Sequence, residues 1–226
     1  FYLHPDFHSD FISQNPEDLL AEIRVKQEET KAFLKEADTF LLTFGTAYFY
    51  HDKILSRPIT NCHKQSSQRF EKHMNQVSEI TNAYRTWIKN HPKIHFILTV
   101  SPVRHTRDGM LENSVSKSTL RLAAHEISQE FPGQVSYFPA YEIMMDDLRD
   151  YRFYASDMLH PNETAINYIW EQFQQVWIDE KSTLIQKEVD TIQKGLQHKA
   201  FNLNSEAHQE FLNNLKESQF KLGKQF

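Results

Sequence analysis

The sequence predicts an α/β protein built on a parallel sheet. Residues 39–44 and 94–100 form near-continuous apolar runs bounded by turn residues, a pattern typical of strands that are covered on both faces. A third run, residues 134–138, ends at Pro139. Segments with helical periodicity fill the intervals between the runs. This alternation is typical of a parallel sheet whose ligand crevice lies at the carboxyl ends of the strands.

The helices that alternate with these strands are predicted over residues 16–37, 67–90 and 116–130. Three strands make a thin sheet for an enzyme of this class, and the chain opens on Phe1 without an initiator Met. We therefore expect further strands upstream of Phe1.

The C-terminal part of the sequence predicts a helical extension. One long helix is predicted over residues 161–197, and its apolar residues keep a core-facing spacing only as far as Trp177. A further helix is predicted over residues 205–221. We therefore divide the chain into a first domain, residues 1–175, and an extension, residues 176–226. The faces of the extension are expected to be solvated or to pack on a partner, such as a second copy of the chain.

Composition excludes several classes of partner. The chain has 226 residues, with 25 Lys and Arg against 30 Asp and Glu, and its net charge of −5 gives no electrostatic footprint for nucleic acid. No apolar run approaches the length of a membrane span, so no membrane partner is expected. A single cysteine, Cys62, permits no internal disulfide and fits a reducing compartment such as the cytoplasm.

The sequence predicts neither a cofactor nor a metal. Only five glycines serve the whole chain, and none forms a glycine-rich phosphate loop. The 12 histidines are scattered and show none of the spacings typical of metal ligands. Most of them are expected to be surface or hydrogen-bonded residues.

The most informative motif is Asp157-x-x-His160 followed by Pro161. Proline disfavours the α region for the residue before it and suits the first helical position, so we expect His160 to project from a loop at a helix N-terminus. The positive end of the helix dipole disfavours an imidazolium, which helps keep the ring neutral, as a general base must be. Asp157 is close enough to orient the ring through its other nitrogen.

Further polar residues follow the predicted strands, where a crevice is expected. Gly45 and Thr46 follow the first strand, and Ser101, Arg104 and His105 follow the second. Arg104 can either bind a carboxylate or phosphate of the substrate or pair with the acidic residues between 142 and 150. The sequence leaves both alternatives open.

Several stretches together resemble the GSCFA-domain family, which is named for a Gly-Ser-Cys-Phe-Ala motif. The matching stretches are His8–Phe11, Thr43–Ala47, Asn61–Lys64, Thr99–His105, Tyr137–Ile143, Asp150–Ala155 and Asp157–Pro161. The family is similar to the SGNH hydrolases, which are three-layer α/β/α, flavodoxin-like esterases and acyl hydrolases. The resemblance implies that Asp157 and His160 are the carboxylate and the base of a catalytic triad whose nucleophile is an early serine.

The Gly-Ser-Cys segment itself is absent from this chain, so the resemblance places the serine upstream of Phe1. The SGNH pattern also uses oxyanion donors after a central strand. Here the backbone amides of Gly45 and Thr46 are the candidates, and Asn61 is a candidate side-chain donor, with His63 beside it lining the site.

Three functions are weighed on this basis. The first is an SGNH-type serine hydrolase that acts on a small-molecule or carbohydrate ester, as an esterase, acyl hydrolase or deacetylase. The second is a non-catalytic binding protein that keeps the hydrolase-like crevice. The third, a metal-dependent hydrolase, is the weakest, because one Asp-x-x-His pair supplies too few ligands for a catalytic metal.

Overall fold

A computed structural model describes residues 1–197 and 206–223 of the chain. The chain forms two compact units, Phe1–Ile166 and Asn167–Phe226. The strands are β1 (Tyr2–Leu3), β2 (Ile12–Ser13), β3 (Thr39–Phe44), β4 (Tyr48–Asp52), β5 (Arg57–Ile59), β6 (Phe70–Met74), β7 (His95–Val100) and β8 (Val135–Tyr137). The helices are α1 (Pro16–Glu36), α2 (Val77–Asn90), α3 (Met110–Glu130), the short α4 (Ala140–Glu142), α5 (Glu163–Trp177), α6 (Glu180–Gln197) and α7 (Glu206–Gly223). Short helical turns cover Ser67–Arg69, Thr106–Asp108, Ile143–Leu148 and Tyr151–Phe153.

The central element is a parallel sheet with the strand order β3-β7-β8. Thr39 pairs with His95 and Phe44 with Val100, while Phe96 pairs with Val135. The α/β class and the three strands of the sheet are therefore confirmed. Because the strands are parallel, the residues that follow Phe44 and Val100 emerge at the same edge of the sheet.

One face of this sheet carries the main hydrophobic core. Alternate residues of the strands point to this face, and α2 and α3 cover it. The core includes Phe44 from β3, Phe96, Leu98 and Val100 from β7, and Val135 from β8, packed against Ile80 and Ile88 of α2 and Leu120, Ala123, Ala124 and Ile127 of α3. The prediction that β3 is covered on both faces is wrong, since Leu41, on its other face, is 51% exposed.

A second sheet, antiparallel and ordered β5-β4-β6, replaces part of a predicted helix. The helix predicted over residues 67–90 begins only at Val77, and Phe70–Met74 pairs instead with Tyr48–Asp52. Gln76 and Glu79 form a capping box, which satisfies free amides of the first turn and so fixes the start of α2. The remaining small sheet is the antiparallel pair of β1 and β2.

The predicted helix over residues 161–197 is two helices. α5 ends at Trp177, and Asp179 accepts a hydrogen bond from the backbone amide of Ser182 at 2.7 Å, which caps the start of α6. The helix predicted over residues 205–221 corresponds to α7, and its predicted first residue, Ser205, lies outside the described residues. None of the helices in the described parts of the chain is long and apolar enough to cross a membrane.

Candidate active site

Asp157 and His160 form a hydrogen-bonded pair. The Nδ1 atom of His160 lies 2.6 Å from Oδ2 of Asp157, and the other carboxylate oxygen accepts the backbone amides of Leu159 at 2.8 Å and His160 at 3.0 Å. These bonds, first the amide of His160 and then that of Leu159, lower the pKa of Asp157 to about 2. The ionised carboxylate therefore accepts the proton on Nδ1, which leaves Nε2 as the basic nitrogen of the neutral ring.

The loop that carries the pair is held closed by the backbone. Tyr154 and Pro161 form an isolated antiparallel bridge, and the amide of Ala155 donates to the carbonyl of His160 at 2.8 Å. Met158, at the tip, has a φ of 61°, a conformation that costs about 1–3 kcal/mol for a residue other than glycine. The surrounding hydrogen bonds hold this strained turn in place.

The start of α5 differs from the prediction. Pro161 pairs with Tyr154 and does not open the helix, which begins at Glu163. Asn162 supplies the cap, because its side-chain oxygen accepts the amide of Ala165 at 3.1 Å. His160 thus lies just outside the cap, with 59% of its side chain exposed.

At the carboxyl ends of β3 and β7, the candidate residues Gly45, Thr46 and Ser101 lie around a buried lysine. The ammonium of Lys117, which is 1% exposed, donates to the carbonyls of Gly45 and Ser101, each at 2.7 Å. Its neighbour Ser116 accepts the amide of Ala47 at 2.8 Å and lies 3.2 Å from the hydroxyl of Thr46. One turn of α3 therefore fixes both strand ends.

Ser116 and Lys117 were not among the predicted site residues. The signal was present, because Asn113, Ser116 and Lys117 precede Leu120 at helical spacing and so place polar groups on the core-facing side of α3. Such residues are buried only when they have hydrogen-bond partners.

His105 lies beside Gly45. A Cβ atom on Gly45 would be 3.8 Å from Nε2 of His105, and the backbone amide of His105 donates to the side chain of Asn113 at 2.8 Å. Burial lowers the pKa of His105, and the charges of Lys117 and His160 lower it further, while Asp108 acts in the opposite direction. His105 is therefore held mainly in its neutral form at pH 7.

Arg104 joins the loop after β7 to the loop of His160. Its backbone amide donates to the carbonyl of Leu159, and its Nη1 donates to the carbonyl of Met158, both at 3.3 Å. The guanidinium lies over the ring of Tyr154, 4.1 Å from the centroid. The structure thus brings His160 and Asp157 together with Arg104, His105 and the ends of β3 and β7.

Asn61 and His63 lie in a different pocket, formed with the N-terminal segment. Asn61 accepts the backbone amide of His63 at 2.9 Å, and Nε2 of His63 is 2.7 Å from the carbonyl of His4. This pocket, of about 240 Å³, is lined by Leu3, Pro5, Asp52, Leu55, Ile59, Asn61, Cys62, His63, Gln65, Arg69 and Phe70. Its lining includes neither Gly45 nor His160, and the oxyanion role of Asn61 stays a prediction.

No nucleophile is paired with the base within the described part of the chain. No hydroxyl or thiol of residues 1–197 and 206–223 hydrogen-bonds to Nε2 of His160. Burial raises the pKa of the Cys62 thiol, which makes that residue a poor nucleophile. Within the same ranges, no three His, Cys, Asp or Glu side chains gather as a metal site would require. The chemistry available is proton transfer at Nε2, with Asp157 stabilising the resulting imidazolium.

Comparison with known protein families gives two matches along the chain. The model of the GSCFA family matches residues 1–173, and that of the GSCFA domain protein C-terminal domain matches residues 189–226. Neither the curated proteins nor the solved structures include a match to the chain. The family match covers the parallel sheet and the Asp157–His160 loop. On this evidence the chain belongs to the GSCFA family.

Proposed function

We propose that this protein is an SGNH-type serine hydrolase that cleaves a small-molecule or carbohydrate ester. The observation that carries the proposal is the bond of 2.6 Å between Nδ1 of His160 and the ionised carboxylate of Asp157. It gives the ring the orientation and the tautomer that a general base needs.

In this mechanism the nucleophile is a serine upstream of Phe1. Nε2 of His160 takes the hydroxyl proton as the serine oxygen attacks the ester carbonyl, and Asp157 stabilises the imidazolium. The imidazolium then protonates the departing alcohol, and water releases the acyl group by the same steps. The backbone amides of Gly45 and Thr46 are the proposed donors to the oxyanion.

The alternative is a binding protein that keeps the crevice without turnover. The lack of a hydroxyl or thiol on Nε2 of His160, within the described residues, is the observation that favours this alternative. For either function we propose the cytoplasm as the compartment, because Cys62 is a free thiol. The acidic net charge of −5 argues against nucleic acid as the ligand.

The test is the turnover of p-nitrophenyl acetate by the full-length natural protein. Members of a triad act as a unit, so His160→Ala and Ala substitution of the upstream serine should each reduce kcat/KM by about 10³-fold or more. Asp157→Asn should also lower kcat/KM, because an amide side chain carries no charge to stabilise the imidazolium. His125→Ala, which removes an exposed histidine of α3, is the matched control.

Circular dichroism of each variant would check that its fold is intact. If the wild type is active and neither His160→Ala nor the serine variant changes the rate, groups other than the proposed triad cause the turnover. The hydrolase proposal then fails. If the wild type itself shows no turnover of short-chain esters, the binding protein becomes the better account.

A further inference from the structure

Arg104 forms no ion pair with a carboxylate among residues 1–197 and 206–223. Of the two alternatives left open by the sequence, an ion pair with the acidic residues between 142 and 150 is not formed. Within residues 1–197 and 206–223, the arginines that do pair with a carboxylate are Arg57, Arg69, Arg85, Arg121 and Arg152. Arg104 instead donates to the carbonyl of Met158.

Arg104 differs in solvent exposure from the other described arginines that lack a carboxylate partner. Arg24, Arg107 and Arg149 are exposed, so water solvates their charge, whereas Arg104 is only partly exposed. Removing part of the water from a charge is costly unless another group compensates for it. Arg104 therefore presents a partly exposed guanidinium without a carboxylate partner, within the described residues, next to the loop of the candidate base.

Two tyrosines hold the guanidinium in place. Its central carbon lies 4.1 Å from the centroid of Tyr154, which is 7% exposed, and 5.3 Å from that of Tyr151, which is 61% exposed. Stacking on tyrosine rings favours a planar guanidinium over an ammonium. Because a guanidinium has five N–H donors, the bond to Met158 leaves donors for a ligand.

We propose that Arg104 binds a negatively charged oxygen group of the substrate, a carboxylate or a phosphate, and that the substrate is therefore an anionic ester. The inference rests on the proposed function. The backbone bond from Arg104 to Leu159 and the side-chain bond to Met158 place the guanidinium next to the loop of His160. A bidentate contact there would orient the ester relative to Nε2 of His160, since a planar fork matches the geometry of a carboxylate or phosphate.

The kinetic test compares esters that differ in charge. Full-length wild type, Arg104→Gln and Arg104→Lys would be assayed with p-nitrophenyl butyrate and p-nitrophenyl hemisuccinate, and with phenyl acetate and 4-acetoxybenzoate for an anion on the alcohol side. Arg104→Gln should lower kcat/KM for an anionic ester about 10- to 100-fold more than for its neutral counterpart. Arg104→Lys should lie between, and Arg107→Gln, on the same loop, is the matched control. Equal losses for the charged and the neutral ester of both pairs would overturn the inference.

Binding measurements keep the inference separate from turnover. Calorimetry would compare three amide analogues that cannot be hydrolysed as esters: N-(4-nitrophenyl)succinamic acid, its phosphonate counterpart N-(4-nitrophenyl)-3-phosphonopropanamide, and neutral N-(4-nitrophenyl)butanamide. One of the two anions should bind at least 10-fold tighter than the neutral amide, and Arg104→Gln should remove the difference; the tighter anion identifies the group. Selective binding without any turnover would refute the hydrolase and retain the anion site. Equal binding of all three amides, or selectivity that survives in Arg104→Gln, would overturn the anion site.

Discussion

At the residue scale, Lys117 shows how the protein keeps a buried charge. Its ammonium lies at the carboxyl ends of two parallel strands and donates to one carbonyl from each. Burial lowers its pKa from 10.5 to about 8. The residue therefore orders the turns at Gly45 and Ser101. Its partly desolvated charge also lowers the stability of the folded state.

The lowered pKa of Lys117 predicts that the stability of the protein depends on pH. Between pH 8 and 10.5 the unfolded chain binds the Lys117 proton and the folded chain releases it, so the free energy of unfolding rises with pH in this window. The stability of wild type relative to Lys117→Met should therefore increase by up to about 3 kcal/mol from pH 7 to pH 10.5. Urea unfolding at several pH values measures the difference, with the exposed Lys93→Met as control. A difference that stays constant over this range would show that the ammonium does not titrate there.

At the element scale, the antiparallel sheet depends on a buried ion pair at the end of β4. Asp52 is 0% exposed; its Oδ2 accepts Nε of Arg69 at 2.8 Å and its Oδ1 accepts the amide of Ile54 at 2.9 Å. These contacts, chiefly the one with Arg69, lower the pKa of Asp52 to about 2. The pair closes the turn between β4 and β5 and links it to the start of β6.

The low pKa of Asp52 predicts a loss of stability in acid. The carboxylate contributes its full stabilisation above its ordinary pKa of 3.8, and this contribution is lost as the pH falls towards 2. Wild type should be more stable than Asp52→Asn at pH 6, and the two should converge between pH 4 and pH 2. Urea unfolding measures the convergence, and Asp10→Asn, at a side chain that is 87% exposed, is the matched control. Parallel acid profiles of wild type and Asp52→Asn would contradict the assignment.

These elements differ in how far the sequence could predict them. The runs at Thr39–Phe44 and His95–Val100 were predicted almost to the residue, because long apolar runs identify strands independently of their partners. By contrast, Phe70–Met74 contains Glu71, Lys72 and His73 and becomes a strand only by pairing with β4, so its sequence did not exclude a helix.

The candidate site shows the same division between local and long-range contacts. The pair Asp157 and His160 was predictable, since a contact between residues three apart depends on local chain geometry. The contact of Lys117 with Gly45 spans 72 residues and exists only once α3 packs on the sheet. The position of Asn61 also depends on a contact between residues far apart in the sequence, since its backbone amide donates to the carbonyl of Pro5 at 2.9 Å.

At the scale of the whole molecule, the matched families and the compact units divide the chain at different points. Along the chain, the first compact unit ends at Ile166 and the second begins at Asn167, inside α5. The family match runs to residue 173, and the C-terminal match starts at residue 189. The predicted boundary after residue 175 stays a prediction. In the C-terminal unit, Trp170 and Phe173 stack at 5.5 Å, and Ile192 and Leu215 are buried.

The packing of α6 against α7 is the feature of this unit that a single substitution tests best. A Cβ atom on Gly195 would lie 2.6 Å from Cδ1 of Leu215, so the two helices approach each other closely because residue 195 has no side chain. Leu215 is 9% exposed, and Leu215→Ala should destabilise the helix pair by about 2–4 kcal/mol through lost burial and a residual cavity. Leu196→Ala, at a side chain that is 54% exposed, should change stability by less than about 0.5 kcal/mol. Hydrogen exchange of the α6 and α7 amides in the intact chain measures both effects. Faster exchange only in Leu215→Ala is the expected result, whereas equal exchange in the two variants would mean that this contact does not hold the helices together.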